Sequence, residues 1–377
     1  MPRMKDVGIV LAAVAVAAAV PLVANLGAAP GPTAGAQQIS DETRAQAAEA
    51  TARRLADADI VDLAVEFTVR DVNRSATPCT PTDETYTVRG HLTAPESVLA
   101  EEDPQVTLYQ HDLSANEWYW RLDVPGYHHA EELARRGHAS LTIDRVGYGA
   151  SDRPNGYHLC LGAQADMTDQ IIGDLRAGDY RVVESTAEVV EFSSVVLAGL
   201  GTGAQIAQHA ALFGNADGLV VMGWADLGRT NRFMTRFFAG LSTCMQSAGP
   251  DQQPEVDGGY AYFDVGATQY VETNFHDADP EVLAAATPLQ TRHPCKEVVS
   301  QLEGISTDLR ELPEVTTPVL GVYGTEDSLF QDGEEQLALF SEADTELITL
   351  PDAGHYVGLD SEPELFHDGL ADWLAAR

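Results

Sequence analysis

VVLAGLGTGAQIAQH, residues 195–209, is the stretch of this chain that decides the fold. Its apolar and β-branched first half predicts a buried strand, and the pattern of apolar and polar residues after Gly203 predicts an amphipathic helix. Between the two, Gly199, Gly201 and Gly203 predict a tight turn. A strand that leads through a glycine-rich turn into a helix places that turn at the carboxyl edge of a sheet, where α/β proteins bind their ligands.

The spacing of these glycines fits a nucleophile elbow, the strained strand-to-helix turn that presents a reactive side chain. Its pattern is small-x-nucleophile-x-small, because the turn leaves no room for a β-carbon on the outer residues. In this chain the outer positions are Gly199 and Gly203, and the central position is Gly201. The reactive position of the elbow therefore has no side chain.

Two later strands supply the other members of a catalytic triad, in the order acid and then histidine. Residues 317–327 predict a strand that ends in an acidic loop at Asp327, and residues 347–355 predict a strand that ends at His355. We expect the two side chains to pair, with the carboxylate fixing the imidazole tautomer. Each could also be an ordinary loop residue. Asp226, after the preceding strand, is a rival acid that more simply begins an excursion from the sheet.

Residues 139–152, ASLTIDRVGYGASD, predict a further strand that leads into a glycine-rich loop. With the three stretches above, it resembles the α/β-hydrolase superfamily, most closely its secreted esterase- and lipase-like branch, which carries a strand-end Asp-Arg-x-Gly-x-Gly-x-Ser loop. The resemblance covers Thr87 to Arg377, and strands with period-two alternation extend the domain to residues 61–377. It implies an α/β fold with a mostly parallel central sheet flanked by helices and a cap inserted before the acid-bearing strand.

An acyl-transfer site also needs two backbone N–H groups that bind the developing oxyanion. The register of the elbow makes the N–H of Thr202 one donor, and the resemblance implies a second donor, Leu113, in a His-Gly-x loop. That loop reads His111-Asp112-Leu113 here, so Asp112 stands in the place of the glycine. A carboxylate that faced the pocket would repel the oxyanion. The chain therefore departs from the esterase pattern twice, at Gly201 and at Asp112.

Other interpretations of these residues stay open at the level of the sequence. The turn from Gly199 to Gly203 could cradle a phosphate, but the third glycine of the dinucleotide pattern is missing. Thr202 could be the nucleophile in a register shifted by one residue, which would place Leu200 where a small residue is needed. Ser114 is a hydroxyl that could substitute, although an exposed loop position is its simpler interpretation.

The stretch 226–314 breaks the alternation of strands and helices and contains aromatic-rich segments such as 232–241 and 258–263. We expect it to be a cap, whose aromatic side chains either line an apolar pocket or pack the cap on the core. Further pocket candidates lie at or near the predicted strand ends: His111, Asp112, Trp224 and Tyr356.

The four cysteines, Cys79, Cys160, Cys244 and Cys295, allow three pairings. We favour Cys79 with Cys160 and Cys244 with Cys295, the second pair lying inside the cap. Disulfides fit an exported chain, whereas free thiols would fit a cytoplasmic one.

The N-terminus has the pattern of a signal peptide over residues 1–36, with basic residues, an apolar run and a small-x-small cleavage site before Gln37. Because the apolar run is long, an uncleaved membrane anchor is the alternative. Residues 37–60 are Ala-rich and charged, which predicts a helical or flexible lead-in. We therefore expect a secreted or extracytoplasmic chain, or one anchored to a membrane at its N-terminus.

The formal net charge is −36, from 58 acidic residues against 22 lysines and arginines. Such a surface repels nucleic acids and anionic membranes, so neither is an expected partner. Its self-repulsion suggests adaptation to high salt, where screening shortens the reach of the charges.

The sequence favours a degenerate hydrolase or a ligand-binding pseudoenzyme, esterase-like by descent, that cannot form an acyl-enzyme because Gly201 has no hydroxyl. Its expected ligand is a small apolar or ester-like molecule. The alternative is an active hydrolase or lyase in which Asp327 and His355 act as a general base on water or substrate. No cofactor is predicted and no metal-ligand spacing is present. The oligomeric state is not encoded in any visible pattern.

Overall fold

The computed structural model of this chain describes residues 59–183, 185–247 and 256–377. The predicted signal peptide or anchor, and the predicted lead-in up to residue 58, lie outside the described residues. Within the described ranges, no helix combines the length and the apolar character that crossing a membrane requires.

One large sheet organises the described chain, and its strands follow the order β11-β10-β7-β6-β3-β4-β2-β1-β5. The strands are β1 (Ile60–Arg70), β2 (Thr85–Pro95), β3 (Gln105–Gln110), β4 (Ala139–Asp144), β5 (Arg181–Val182), β6 (Ser194–Leu200), β7 (Gly218–Met222), β10 (Val319–Gly324) and β11 (Thr345–Leu350). The six strands from β11 to β4 are parallel, whereas β2, β1 and β5 pair antiparallel. The predicted α/β-hydrolase fold, with its mostly parallel sheet flanked by helices, is confirmed.

The helices flank this sheet and also build the long connection between β7 and β10. They are α1 (Glu96–Leu99), α2 (His129–Arg135), α3 (Leu161–Ala177), α4 (Thr202–Ala211), α5 (Asn231–Ser247), α6 (Gly266–Asn274), α7 (Pro280–Ala286), α8 (Cys295–Glu311), α9 (Gly333–Leu337) and α10 (Pro363–Ala375). Short 3-10 turns span Glu117–Arg121, Thr287–Leu289 and Leu312–Glu314.

The central strands are buried on both faces, and alternate side chains enter two separate apolar cores because strand side chains point to opposite faces. In β6, Val195 and Leu197 join the core that packs against α3 and α4, whereas Val196 and Ala198 join the core that packs against α2 and α10. This explains why the stretch before the glycines is a continuous apolar run rather than an alternating one.

The glycines of the turn after β6 are required by close approaches of the backbone. A β-carbon at Gly199 would lie 2.3 Å from the carbonyl oxygen of Gly203, and one at Gly203 would lie 2.3 Å from that of Gln110. Gly201 has φ 54° and ψ −123°, a conformation that L-residues adopt only under strain. The turn therefore has the tight geometry that the elbow pattern predicts.

We call the segment between β7 and β10 the cap segment, because the sequence predicts a cap there. It contains α5 to α8 and a two-stranded antiparallel pair, β8 (Tyr260–Ala261) and β9 (His293–Pro294). A disulfide joins Cys244 in α5 to Cys295 at the start of α8, and a second joins Cys79 to Cys160 just before α3. These are the two pairings favoured from the sequence.

Candidate functional site

The candidate site lies at the carboxyl edge of the parallel strands, where the ends of β3, β6, β10 and β11 meet. Parallel strands all end at the same edge, so side chains distant in sequence converge there. This edge brings together Asp112 after β3, Gly201 after β6, Asp327 after β10 and His355 after β11.

Asp327 and His355 form a buried pair, as the sequence analysis expects. The distance from Asp327 Oδ2 to His355 Nδ1 is 3.1 Å. Backbone N–H groups of Leu329 and Phe330 donate to Asp327 Oδ1 at 2.7 and 3.1 Å, which fixes the carboxylate. Because Nδ1 faces this carboxylate, Nε2 of the imidazole is left to face Gly201.

Nε2 of His355 points to the place where a side chain at position 201 would begin. A β-carbon at Gly201 would lie 3.1 Å from this nitrogen. It would also lie 2.2 Å from Oδ1 of Asp112, which is far inside any allowed contact. The carboxylate of Asp112 therefore occupies the space that an elbow side chain would fill.

Asp112 also lies against the backbone donors that the sequence assigns to an oxyanion hole. The N–H of Thr202 donates to Asp112 Oδ1 at 2.8 Å, and the N–H of Leu113 lowers the pKa of the same carboxyl. From the sequence we expect a carboxylate that faces the pocket to repel an oxyanion. In the structure the Asp112 carboxylate faces inward and itself accepts the hydrogen bond of Thr202.

The second oxygen of Asp112 pairs with the imidazole. Oδ2 lies 3.6 Å from His355 Nε2, which is an ion-pair distance rather than a hydrogen bond. Burial disfavours the charged imidazole, but the carboxylates of Asp327 and Asp112 outweigh it and raise the pKa of His355 to about 10. Burial also opposes ionisation of Asp112, but His355 and the two N–H donors lower the pKa of its carboxyl. The site is an imidazolium between two carboxylates.

Comparison with known proteins places this geometry in a family. The model of the family described as "Alpha/beta hydrolase family" matches residues 111–368, which is more than half of the chain. This chain belongs to the alpha/beta hydrolase family. The match begins at His111 in the loop that carries Asp112 and extends past His355, so it contains the whole candidate site of this hydrolase-family chain.

Solved structures share the fold at low sequence identity. A thermophilic esterase from Thermogutta terrifontis is 17% identical, with a TM-score of 0.58 over 82% of this chain and 98% of its own. A membrane phospholipase A described as a bacterial virulence factor is 15% identical (TM-score 0.53, 88% and 91% covered). The monoacylglycerol lipase of Paleococcus ferrophilus is 19% identical (TM-score 0.52, 72% and 94% covered). No curated protein sequence matches the chain. At these identities the likeness shows the fold alone.

The other residues singled out from the sequence are buried around this centre. His111 packs edge-on against Tyr148, with ring centroids 4.5 Å apart, and burial lowers its pKa well below the usual value. Tyr356 packs against His355 and other aromatic rings, while Trp224 donates its indole N–H to Asp226 at 3.1 Å.

Thr202 directs its hydroxyl away from the Asp112 carboxylate. There it accepts a hydrogen bond from Gln301 at 2.6 Å.

The interpretation of Ser114 as an exposed loop serine is wrong. The residue is only 1% exposed, because the cap segment covers it: the N–H of Thr291 donates to the carbonyl oxygen of Ser114 at 3.0 Å. The Ser114 hydroxyl has no hydrogen-bond partner among the described residues, so no contact there activates it as a nucleophile. The sequence of the loop alone could not show that Ser114 is buried by residues far along the chain.

A buried ion pair that the sequence analysis did not single out supports the Asp112 loop from behind. Nη1 of Arg145 lies 2.5 Å from Oε1 of Glu297 on α8, and Nη2 donates to the carbonyl oxygen of His111 at 3.1 Å. The hydroxyl of Tyr148 donates to the same carboxylate at 3.0 Å. Arg145 and Tyr148 belong to the strand-end Asp-Arg-x-Gly-x-Gly-x-Ser loop, so this motif could have identified them from the sequence. No local pattern identifies Glu297 as their partner.

Asp226, the rival acid, belongs to a different buried network and does not contact His355. Its carboxylate accepts hydrogen bonds from Gln336 at 2.8 Å and from Trp224 at 3.1 Å. Asp308 also contacts it and lies 3.0 Å from His209. Burial, together with the nearby charge of Asp308, raises the pKa of Asp226 well above its ordinary value.

Substitution Asp226→Asn tests this network. The folded chain keeps the Asp226 proton at pH values where the unfolded chain has lost it, so the wild type loses stability as pH rises above 3.8, the ordinary pKa of the group. Because Asn cannot ionise, we expect the unfolding free energy of the variant to fall less between pH 5 and pH 8, as measured by urea denaturation. Asp217→Asn, at a partly exposed carboxylate, is the matched control. Parallel pH profiles for Asp226→Asn and wild type would contradict the assignment.

Proposed function

We propose that this chain is a small-molecule-binding member of the alpha/beta hydrolase family that has lost serine-dependent ester hydrolysis, and that it acts outside the cytoplasm. One observation carries the proposal. The Asp112 carboxylate fills the space above Gly201 and accepts the hydrogen bond of the Thr202 N–H, and the N–H of Leu113 also lowers the pKa of this carboxyl. In this proposal Gly201 stands where an active member has its nucleophile.

Serine-type acyl transfer needs a hydroxyl nucleophile, a neutral base that takes its proton, and free donors for the oxyanion. Position 201 offers no hydroxyl. The base is an imidazolium, because the pKa of His355 is about 10. The donors are occupied by a negative charge. Each deficiency alone would slow acyl transfer, and together they support loss of the reaction.

The alternative from the sequence, general-base attack of water through Asp327 and His355, meets the same obstacle. A general base needs an unprotonated nitrogen directed at the water. Nε2 of His355 faces the Asp112 carboxylate and is protonated at neutral pH. The geometry therefore favours binding without turnover over base catalysis by this pair.

The ligand class follows from descent and from the surroundings of the site. The similar structures include an esterase, a phospholipase A and a monoacylglycerol lipase, whose names indicate ester substrates. Tyr356 and its neighbours Tyr119, Tyr270 and Phe275 form a buried aromatic cluster beside His355. Such surroundings suit a small apolar or ester-like molecule.

The experiment combines binding and turnover with p-nitrophenyl butyrate. We expect this ester to raise the melting temperature of the chain without releasing p-nitrophenolate above the buffer rate, at low and at high salt. The variant His355→Ala should release no less product than wild type, with His276→Ala, an exposed histidine, as control. Product release that is lost in His355→Ala but not in His276→Ala would overturn the proposal.

The two carboxylate oxygens of Asp112 face different partners, and this orientation favours a second candidate function. One oxygen is held by backbone N–H groups and the other faces His355, which is the arrangement a carboxylate nucleophile needs. Oδ2 would attack an epoxide carbon and break its C–O bond, and His355 would give its proton to the released alkoxide. The alkyl ester of Asp112 is neutral, so the imidazole would then be basic and could take a proton from the water that hydrolyses the ester.

An isotope experiment separates this reaction from direct attack of water. In a single turnover of styrene oxide in ¹⁸O-labelled water, nucleophilic catalysis puts the label into the Asp112 carboxylate and leaves the diol unlabelled. Mass spectrometry of the peptide containing Asp112 measures this. Label in the diol alone, or conversion that persists in Asp112→Asn, would exclude Asp112 as the nucleophile.

A further inference from the structure

A polar cavity of about 360 Å³ lies between the loop after β4 and the cap segment. Arg153, from the loop after β4, and Arg292, from the residue before β9, both line it. The two cationic groups therefore come from two different parts of the chain. Thr291 and Tyr262 also belong to its wall.

These arginines differ from most others in the described part of the chain. In a protein of net charge −36, most described arginines form an ion pair with a carboxylate, for example Arg74 with Asp166. Within residues 59–183, 185–247 and 256–377, Arg153 and Arg292 form none. Two guanidinium groups that share one cavity therefore have no ion-pair partner in the described part of the chain.

Aromatic rings hold both guanidinium groups in place. Cζ of Arg153 lies 4.1 Å from the ring centroid of Tyr260, and Cζ of Arg292 lies 4.9 Å from that of Tyr262. A guanidinium stacked on a ring keeps its N–H edge free, and that edge matches the two oxygens of a carboxylate or phosphate. The stacking therefore orders the arginines before any ligand binds.

Two further wall residues, Thr291 and Asp257, bear on the polarity and charge of the cavity. The hydroxyl oxygen of Thr291 is buried and has no hydrogen-bond partner among the described residues. Asp257 lines the same cavity, but it is exposed and lies beyond ion-pair distance of both arginines. Among the residues that the structure describes, the cavity thus carries two cations and one exposed anion, on a chain that is otherwise strongly acidic.

We propose that this cavity is a binding site for an anionic group, a carboxylate or a phosphate on a small molecule, held by Arg153 and Arg292. The site is distinct from the centre around Asp112, and the inference stands whether or not the chain hydrolyses esters. Because its two arginines come from the β4 loop and from the cap segment, the bound anion links these two parts.

The test measures binding of malonate and of inorganic phosphate to the full chain by isothermal titration calorimetry at low salt. We expect at least one probe to bind, and the single substitutions Arg153→Gln and Arg292→Gln each to weaken it by about tenfold or more, the worth of a charged hydrogen bond. The tighter probe identifies the ligand as carboxylate or phosphate. Arg310→Gln, which removes the same charge from an exposed helix position, should leave the affinity unchanged.

Arg153→Lys with Arg292→Lys keeps the charge but removes the planar fork, so it should bind more weakly than wild type. Unaltered melting temperatures without probe will show that the variants are folded. Binding that is equal in wild type and in both Gln variants would overturn the proposal, and so would absence of binding by wild type with both probes. An equal loss in Arg310→Gln would show non-specific charge screening and would also overturn it.

Discussion

The double variant Gly201→Ser with Asp112→Gly is expected to hydrolyse p-nitrophenyl butyrate, whereas Gly201→Ser alone stays inactive. In the single variant the new β-carbon would lie 2.2 Å from Oδ1 of Asp112, so the carboxylate must move and the turn must bear a side chain at φ 54°. Asp112→Gly removes this obstruction. It also frees the N–H groups of Thr202 and Leu113 and removes one of the two charges that keep His355 protonated.

We expect the double variant to release p-nitrophenolate about 100-fold faster than the buffer rate, the order of magnitude contributed by one oxyanion donor. The control is Asp112→Gly alone, which opens the hole without supplying a nucleophile and should remain inactive. The single Gly201→Ser variant should also have a lower melting temperature than wild type, because of the strained turn. Hydrolysis by Gly201→Ser alone, equal to that of the double variant, would show that Asp112 does not block the site.

The stability of the folded chain is expected to fall as pH rises from about 6.5 to about 10. The pKa of His355 is raised from 6.5 to about 10 in the folded chain, because Asp327 and Asp112 together outweigh the effect of burial. The imidazolium therefore contributes stability that is fully present below pH 6.5 and is lost as pH rises through the folded pKa. One pKa unit corresponds to about 1.4 kcal/mol, so we expect a loss of at least that size in the unfolding free energy.

Asp112→Asn isolates this effect, because it removes one carboxylate and keeps the size of the side chain. We expect the unfolding free energy of the variant, from urea denaturation between pH 6 and pH 10, to depend less on pH than that of wild type. Asp226 titrates in both proteins, so the difference between the two profiles reports on His355. Profiles with the same slope would mean that Asp112 does not charge the imidazole.

The fold, and the set of residues that meet at the candidate site, could be predicted because both follow from local patterns. Each strand has an apolar run, and each is followed by a loop whose residues must meet at the carboxyl edge of the sheet. The glycine spacing of the turn has a steric cause, visible as the 2.3 Å approach of a Gly199 β-carbon to Gly203. Asp112, Gly201, Asp327 and His355 could therefore be brought together before any coordinates.

The orientation of Asp112 could not be predicted in the same way. Whether its carboxylate faces solvent or enters the hole depends on the energy of two N–H donors and one imidazole, which come from other parts of the chain. The burial of Ser114 by Thr291, and the pairing of Arg145 with Glu297, likewise depend on where the cap segment folds back. Sequence patterns identify which loops meet, but not which charge fills the space between them.

We propose that no hydroxyl of this chain serves as the nucleophile and that Asp112 fills its place. A fluorophosphonate probe, which phosphonylates activated serine and threonine hydroxyls, tests it directly by intact-protein and peptide mass spectrometry. We predict no labelling of wild type and labelling of the double variant at the introduced serine. Stoichiometric labelling of wild type at Ser114 or Thr202 would contradict the account.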